Sequence, residues 1–557
     1  SLNVHTGYVF NEIARPMNDN STLGIIGNTV VTGPVDAGGL GSYAWTDSLA
    51  VLGVTTIGKI NRFTGSIEAM YAPIEHLTIR GLVGFDGYSN RDIQFYPADL
   101  DYSIIGLTDG YKEMWDGNRE AFNVDASAAY SWTIGEHLRA MSTVGVQLTQ
   151  RTTHLMYIAK SQFPSALISN IGAGSEFRGG DDFFGQFREA GVFAQQDFSF
   201  NQTYYFSVGA RNDFATSYGS EAPSIFYPRA SAALRADRFD LFPASFNLVK
   251  LRAAYGESGF LPGALDASAL LWVPQPSGSG MGIVINQIGN SGILPERTRE
   301  IEVGMEMEYA HNYGVDMSYY WKFGSDAIVR VENPPSTGLT ANATPRNVGA
   351  IEGWGFESML YGRPVHTRDF SFSFNLIYNH AMSRVTDLGG TEPMFNFVNA
   401  IVEGQPRSAF YVKAVRGALF DDNGLYAGPR IDEERSNVGN PVTPHSASLR
   451  LTIYLFRNLT LYALFEAGTG GTVFNYTRYL QTMYKNNKAY NELATQLGIA
   501  AQHGIVPVPD VDELQPGTGA YENAANLFAQ YTPGSGYGLV YFEDSDHIRL
   551  RELSLRY

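Results

Sequence analysis

The chain has 557 residues, too many for one ordinary globular domain, yet its composition favours a single large β-sheet over several such domains. Aromatic residues make up 13% of the sequence and charged residues only 17%, whereas an average soluble domain has about 25% charged residues. The net charge of −17 argues against nucleic acid as a partner, because phosphate binding requires a basic surface, and no run of apolar residues is long enough for a membrane-spanning helix.

Segments with alternating apolar and polar side chains recur from the first residues of the chain to the last. In residues 59–73, Phe63 and Ile67 fall on one face, whereas Arg62 and Glu68 fall on the other. Because successive side chains of a strand point to opposite faces, this period of two predicts β-strands. We predict about sixteen of them, at residues 2–14, 59–73, 77–91, 119–133, 138–154, 185–200, 203–216, 226–238, 246–258, 296–310, 314–330, 346–362, 367–384, 442–456, 458–470 and 546–557.

The lengths of these segments and of their connections favour a membrane barrel over a soluble β-sandwich. Segments such as 59–73 exceed the about 5–6 residues of an average soluble strand and cover the about 9–11 residues that cross a bilayer. Tight turns are predicted near 73–76, 133–137, 200–203, 310–314, 363–367 and 456–458, with a slightly longer one near 238–244. Long connections are predicted at 15–58, 88–117, 152–183, 257–296, 385–440 and 471–545. Short turns on one rim and long loops on the other are typical of outer-membrane barrels.

We therefore predict an all-β fold, a large antiparallel transmembrane β-barrel with short periplasmic turns and long extracellular loops. Aromatic side chains near the turns are expected to form a periplasmic girdle, namely Tyr71, Tyr130, Trp132, Phe200, Tyr204, Tyr309 and Tyr313. Within the long loop 471–545, residues 477–502 and 522–531 have a helical pattern. The strand-like segment 407–416 is placed in a loop, because counting it as a barrel strand would break the up-and-down order.

Several of these segments, in this order, resemble the SusC/RagA family of TonB-dependent outer-membrane transporters. Matching stretches include NRFTGSIEAMYAPIEHLTIRGLVGFDGYS at 61–89, LPERTREIEVGMEMEY at 294–309, NVGAIEGWGFESMLYG at 347–362 and DHIRLRELSLRY at 546–557. The resemblance implies a full barrel of about 22 strands around an N-terminal plug. Four strands would precede this chain and two would follow it, so residues 1–557 are expected to be a partial barrel, with the plug and any secretory leader outside it.

The resemblance also implies a function, which is TonB-dependent import of a polar nutrient, an oligosaccharide or a peptide, across the outer membrane of a Gram-negative-type bacterium. The implied partners are a SusD-like surface lipoprotein that forms a lid, the TonB complex acting through the plug, and outer-membrane lipid. A homodimer of transporter–lipoprotein pairs is left open. The alternatives are a siderophore or vitamin receptor, a passive porin and, in a different class, a soluble β-rich adhesin or lectin.

The sequence contains none of the common catalytic motifs, so no enzyme activity is expected. The glycine cluster 277–282 lacks the lysine of a phosphate-binding loop, and the carboxylates of Glu300, Glu302, Glu306 and Glu308 are interpreted as a hydrated lumen wall. No cofactor or metal is expected, because the oxygen-rich segments 420–424 and 509–513 do not complete a calcium-binding pattern and are better explained as solvated turns.

Four aromatic residues in or beside the predicted extracellular loops are the candidate substrate-binding residues. They are Trp115, Trp272, Tyr88 and Tyr218. Rings in such positions could stack on sugars or hold peptide side chains, although loop packing and the outer aromatic girdle explain them about as well.

Overall fold

A computed structural model describes residues 1–17, 21–30, 48–219, 221, 224–239, 241–263, 265–267, 270–277, 280–339, 343–531, 534 and 536–557. Sixteen strands form one continuous antiparallel sheet in which each strand pairs with the next one along the chain, so the predicted sheet of sixteen strands is confirmed. In order, β1 to β16 are Leu2–Ala14, Thr55–Ile74, Leu77–Tyr96, Tyr111–Ile134, Leu138–Ser161, Glu176–Phe200, Tyr204–Ala215, Ile225–Arg235, Phe246–Phe260, Glu296–Tyr309, Tyr313–Ser325, Ala350–His366, Phe370–Asp387, His445–Leu455, Leu459–Thr469 and His547–Arg556.

Strands β2 to β6 are longer than the sequence pattern predicted. They contain between 20 and 25 residues each, so the predicted loops 88–117 and 152–183 shrink to 97–110 and 162–175. The pattern failed there because polar and apolar side chains are mixed on both faces of these strand ends, so that the alternation is lost. On the face that is apolar nearer the tight turns, Arg91 pairs with Asp116 at 2.6 Å. On the same face, the ring of His154 lies 2.7 Å from Asp182. A strand needs only about 9–11 residues to cross a bilayer, so these ends project beyond it.

All the tight turns lie on one rim of the sheet and all the long connections on the other, as predicted. In the turns at 201–202, 310–311 and 456–457, two consecutive non-glycine residues have positive φ. This conformation gives a tight hairpin the twist of its flanking strands. The long-connection rim, called the upper rim below, also carries the connections 216–224 and 326–349.

The two faces of the sheet differ as the alternation predicted. Phe63, Ile67 and Val303 are 45%, 53% and 45% exposed on the apolar face, and Phe372 and Leu451 are partly exposed. Close to the turns, the rings of Tyr71, Tyr130 and the other predicted girdle residues are exposed or half-buried on this face. A water-soluble sheet would bury such a surface, whereas hydrocarbon covers it in a membrane barrel.

Above the upper rim, the two longest connections fold together into a compact unit, called the cap below, formed by residues 388–444 and 470–546. Its helices are α3 (Tyr476–Met483), α4 (Lys488–Gln496) and α5 (Gly519–Tyr531), where helices were predicted, and α1 (Ile25–Val30) and α2 (Ser48–Gly53) belong to the first connection. The segment 407–416 is correctly outside the barrel, but it forms strands in the cap. The cap strands are Met394–Asn396, Asn399–Ile401, Ala409–Val412, Ala414–Phe420, Tyr426–Ile431, Ser436–Gly439, Thr472–Phe474, Tyr537–Gly538 and Phe542–Asp544.

Two other connections contain short hairpins. Strand Leu270–Ser277 pairs with Gly280–Ile288, and strand Ile328–Glu332 pairs with Ala343–Asn347. Residues 326–330, predicted as the end of a barrel strand, therefore lie outside β11. Single 3₁₀ turns occur at Ser103–Ile105, Ile171–Ala173, Ala236–Arg238, Pro335–Thr337, Ala501–His503 and Leu539–Tyr541.

The cap has a hydrophobic core of its own. The ring of Phe528 in α5 stacks on Tyr490 in α4, with centroids 4.8 Å apart, and Tyr521 and Ala525 of α5 are fully buried beside it. Ala414 and Val415 pair in parallel with Tyr537 and Gly538. This pairing joins the two connections, which are far apart in the chain. The cap is therefore a folded unit and not a pair of independent loops.

The stability of the cap is expected to fall at acidic pH through His503. Its ring packs edge-on against Phe528 at 5.1 Å, and burial, followed by the nearby Lys485 ammonium, lowers the pKa of His503 below its usual value. A lowered pKa means that the unfolded cap binds the proton more tightly. The contribution of neutral His503 to the stability of the folded cap is therefore complete above the unfolded pKa of about 6.5. It is lost as the pH falls through the pKa of His503 in the folded cap.

Proteolysis of the cap at pH 5 and pH 8 checks this expectation. We expect faster cleavage at pH 5 in the wild-type protein and a smaller difference between the two pH values in His503→Gln. An equal pH dependence in the two proteins would contradict the assignment to His503.

Candidate functional site

The polar face of the sheet carries a network of ion pairs. Arg252 of β9 is its centre, with a guanidinium nitrogen 3.5 Å from Glu302, another 2.7 Å from Asp316, and a hydrogen bond to Ser318. Glu300 and Glu306 pair with Lys322 and Lys250 at 3.3 and 3.6 Å. These carboxylates are neutralised by lysine and arginine, and this arrangement suits a hydrated wall better than an acid–base catalyst.

Higher on the same face, one row of the sheet brings two aromatic rings between two carboxylates. The pairing registers place Asp92 opposite Trp115, Trp115 opposite Tyr157, and Tyr157 opposite Asp181, across β3 to β6. Strand β4 pairs with both neighbours without a bulge, so Trp115 shares a face with Asn123 and Asp125 and not with Phe122. Asp92, Trp115, Tyr157 and Asp181, together with Glu113, are called the mouth site below.

The rings of the mouth site are stacked and accessible. The Trp115 and Tyr157 centroids are 4.1 Å apart with the planes tilted by 32°, and Trp115 is 45% exposed. Above Tyr157 the polar face carries Gly179, where a Cβ atom would lie 3.3 Å from Cε1 of the tyrosine. The glycine therefore leaves the space over this ring open.

Hydrogen bonds fix the carboxylates of the mouth site. The Tyr111 hydroxyl donates to Glu113 Oε2 at 2.9 Å and lies 3.2 Å from the Tyr157 hydroxyl. Asp92 accepts from Arg15 at 2.8 Å and from the Asn90 side chain at 3.0 Å. Adjacent cross-strand side chains are about 4.5–5.5 Å apart at their Cβ atoms, so this row forms one continuous surface.

The first connection and the 97–110 connection support the mouth site from above. Leu23, Ala50, Tyr96 and Tyr102 form a small buried core, and the ring of Tyr96 packs edge-on against Tyr111 at 5.4 Å. Burial raises the pKa of Tyr102 to about 12, so its phenol stays neutral. The site is thus built on strands held by a folded loop, which limits its movement.

The four aromatic residues predicted from the sequence do not come together. Trp115 lies in the mouth site, and Tyr88 lies on the same face of β3, four residues nearer the turn rim than Asp92. Tyr218 follows β7, and its hydroxyl is buried close to Tyr227 of β8. Trp272 belongs to the loop strand Leu270–Ser277, and its side chain lies outside the part of the chain that the structure describes.

Glu113, Tyr157 and Asp181 were missed because they fell in segments predicted as loops. The alternation Tyr111, Glu113, Trp115 on one face was a signal in the sequence. The pairing with Tyr157 and Asp181, however, depends on strand register, which the sequence pattern did not provide.

Comparison with known proteins decides the family. A family model described as "TonB dependent receptor-like, beta-barrel" matches residues 7–551. The chain belongs to this family. Members of the SusC type are outer-membrane proteins of Gram-negative bacteria, so this receptor barrel lies in the outer membrane, as predicted.

Curated relatives of the receptor barrel carry names from the same family. TonB-dependent receptor P26 of Formosa agariphila is 22% identical over 377 residues, which cover 64% of this chain and 37% of the relative. TonB-dependent receptor SusC of Bacteroides thetaiotaomicron is 27% identical over 116 residues, which cover 20% of this chain and 11% of SusC. The chain therefore spans less than half the length of the curated relatives it matches.

Solved structures share the fold of the receptor barrel. The RagAB peptide importer in its "open-open" state superposes with a TM-score of 0.77 at 15% identity, covering 100% of this chain and 62% of that one. A second structure of the RagAB peptide transporter superposes with a TM-score of 0.74 at 16% identity, covering 90% of this chain and 56% of that one. At these identities the likeness shows the fold alone.

Two further observations concern the described residues only. No helix among them combines the length and the apolar character needed to cross a bilayer. They also contain no group of three or more metal-ligating side chains, and in the oxygen-rich segment 420–424 the Asp421 carboxylate accepts from the backbone N–H groups of Asn423 and Leu425. That carboxylate therefore stabilises a turn.

Proposed function

We propose that the receptor barrel takes part in TonB-dependent import of a polar nutrient, a peptide or an oligosaccharide, and that the mouth site is where this nutrient first binds. The mouth site is the observation that carries the proposal. It offers an exposed indole ring, phenol hydroxyls and carboxylates on the polar face of strands that project beyond the bilayer. Such a surface can stack on a flat or apolar part of a ligand and hydrogen-bond to its polar groups.

The wall below the mouth site supports passage of a polar solute. Its side chains form ion pairs and hydrogen bonds, as at Arg62 with Asp86 and at Arg252 with Glu302. In this proposal the nutrient moves from the mouth site along this wall when a TonB-type partner acts on the full-length protein. A SusD-like lipoprotein closes over the upper rim, where the cap lies.

Trp115→Ala is expected to reduce nutrient uptake at least tenfold, because the exposed ring is removed from the surface that binds the nutrient first. The full-length gene is deleted in its host and restored as wild type or variant. Cells then receive a tryptic digest of casein together with a mixture of malto-oligosaccharides. Mass spectrometry of the medium follows the depletion of each component.

Met114→Ala is the matched control, because Met114 is the neighbour of Trp115 on the opposite face of β4. We expect near wild-type uptake for this variant. The proposal fails if the deletion strain depletes both mixtures as fast as the wild type, or if the two variants behave alike. Co-purification of a surface lipoprotein with the tagged full-length protein tests the lid separately.

A further inference from the structure

We infer that the mouth site selects ligands that carry a positively charged nitrogen, a protonated amine or a guanidinium. This inference rests on the proposed function, because it names the chemistry of the nutrient at the same site. It follows from three features of the mouth site, namely its unbalanced carboxylates, its stacked aromatic pair with an exposed Trp115 and its position on the open face of the wall.

The carboxylates of Glu113 and Asp181 are not neutralised by neighbouring bases. Elsewhere on the polar face, carboxylates such as Glu300 and Glu302 have lysine or arginine partners within ion-pair distance. Among the described residues, Glu113 forms no ion pair and accepts from tyrosine hydroxyls, and Asp181 is exposed and accepts only from the Asp182 backbone N–H group.

Three basic residues close to this row already have partners and do not neutralise Glu113 or Asp181. Arg15 pairs with Asp92 at 2.8 Å, and Arg178 pairs with Glu176 at 2.9 Å. Lys112 points to the opposite face of β4 and donates to the carbonyl oxygen of Ser169. The row consisting of Asp92, Trp115, Tyr157 and Asp181, with Glu113 and Arg15, therefore carries a net charge of −2.

The aromatic pair adds a second interaction with the same preference. An ammonium or guanidinium group is attracted to the face of an indole or phenol ring, by about 0.5–1 kcal/mol at exposed sites and more when water is excluded. The unpaired carboxylates of Glu113 and Asp181 beside the rings strengthen that attraction and repel anions. The sheet register, which holds Trp115 and Tyr157 between Asp92 and Asp181, thus places two kinds of cation-attracting group on one surface.

Two sources could supply the charged nitrogen, a peptide with basic side chains or an amino sugar, and paired probes distinguish them. Purified full-length transporter in detergent is titrated calorimetrically at pH 6 with Nα-acetyl-trilysine and with the same peptide acetylated on every Nε as well, so that the two peptides differ only in the charge of their side chains. Parallel titrations use a glucosamine tetramer and its N-acetylated form. Acetylation removes the positive charge and keeps most of the molecular framework.

The charged member of at least one pair is expected to bind at least tenfold more tightly than its acetylated partner. In the double variant Glu113→Gln/Asp181→Asn that preference should fall to about twofold or less, because the amides keep the shape of the carboxylates but not their charge. Asp182→Asn is the matched control. Asp182 is the next residue, lies on the opposite face beside His154, and its replacement should preserve the preference.

The inference is overturned if charged and acetylated probes bind equally to the wild type, if none of the four probes binds, or if Asp182→Asn lowers the preference as much as the double variant. Circular dichroism and heat-modifiable migration verify that the variants are folded. Uptake of neutral oligomers in the host assay together with equal binding of both probe forms would refute charge selection while leaving nutrient import intact.

Discussion

Replacing Ile67 by arginine is expected to destabilise the barrel by about 2–4 kcal/mol, the cost measured for a basic residue on the lipid face near the bilayer midplane. Ile67 is 53% exposed on the apolar face of β2 and lies four residues above the girdle residue Tyr71. With a rise of about 3.3 Å per residue and a tilt of about 45°, this places it about 9 Å inside an apolar band about 25 Å tall.

Ser66→Arg provides the matched control for this experiment. Ser66 precedes Ile67 and points to the polar face, where its cross-strand partners are His5 and Gly84. Urea unfolding of the full-length protein in lipid vesicles, followed by tryptophan fluorescence, measures both variants. Equal destabilisation by the two arginines would contradict the assignment of the two faces to lipid and water.

Removal of the Phe528 ring is expected to open the cap. The side chain is fully buried and packs on Tyr490 at 4.8 Å, Tyr426 at 5.3 Å and His503 at 5.1 Å. Phe528→Ala should cost about 3–5 kcal/mol, because it removes a large apolar group and leaves a cavity that the helices can fill only in part. A small folded unit is expected to lose most of its stability at that cost.

Hydrogen exchange of α4 and α5 measures this effect. Heat-modifiable migration in gel electrophoresis shows independently whether the barrel remains folded. We expect exchange in the cap to accelerate while the barrel stays folded. Leu527→Ala is the control, since Leu527 precedes Phe528 in α5 and is 52% exposed. A cap that keeps its protection in Phe528→Ala would show that the helices do not depend on this core.

The barrel itself could be predicted from the sequence to a large extent. Strand β1 was predicted with its observed limits, Leu2–Ala14, and the other fifteen barrel strands were all located. The prediction succeeded where one face meets hydrocarbon and the other meets water, because that contrast makes the side chains alternate. It failed at the upper ends of β3 to β6, where polar and apolar side chains are mixed on both faces and the contrast disappears.

The candidate site was predicted only in part. Trp115 was identified as an aromatic residue near the upper rim, but the burial of the Tyr218 hydroxyl and the separation of Tyr88 from the mouth site were not foreseen. The role of Asp181 could not be predicted either. It depends on Asp181 lying opposite Tyr157, 24 positions away in the chain, and a register shift of one residue would turn it to the other face.

The amino-acid sequence by itself determined the class of fold, the number and direction of the strands, and which face of each strand is apolar. These properties are local, since they follow from neighbouring residues and from the solvent that each face meets. The tertiary structure alone decided the register that builds the mouth site and the union of residues 388–444 and 470–546 in one cap. Both depend on contacts between distant segments, whose cost in chain entropy is offset only when the complete set of contacts forms.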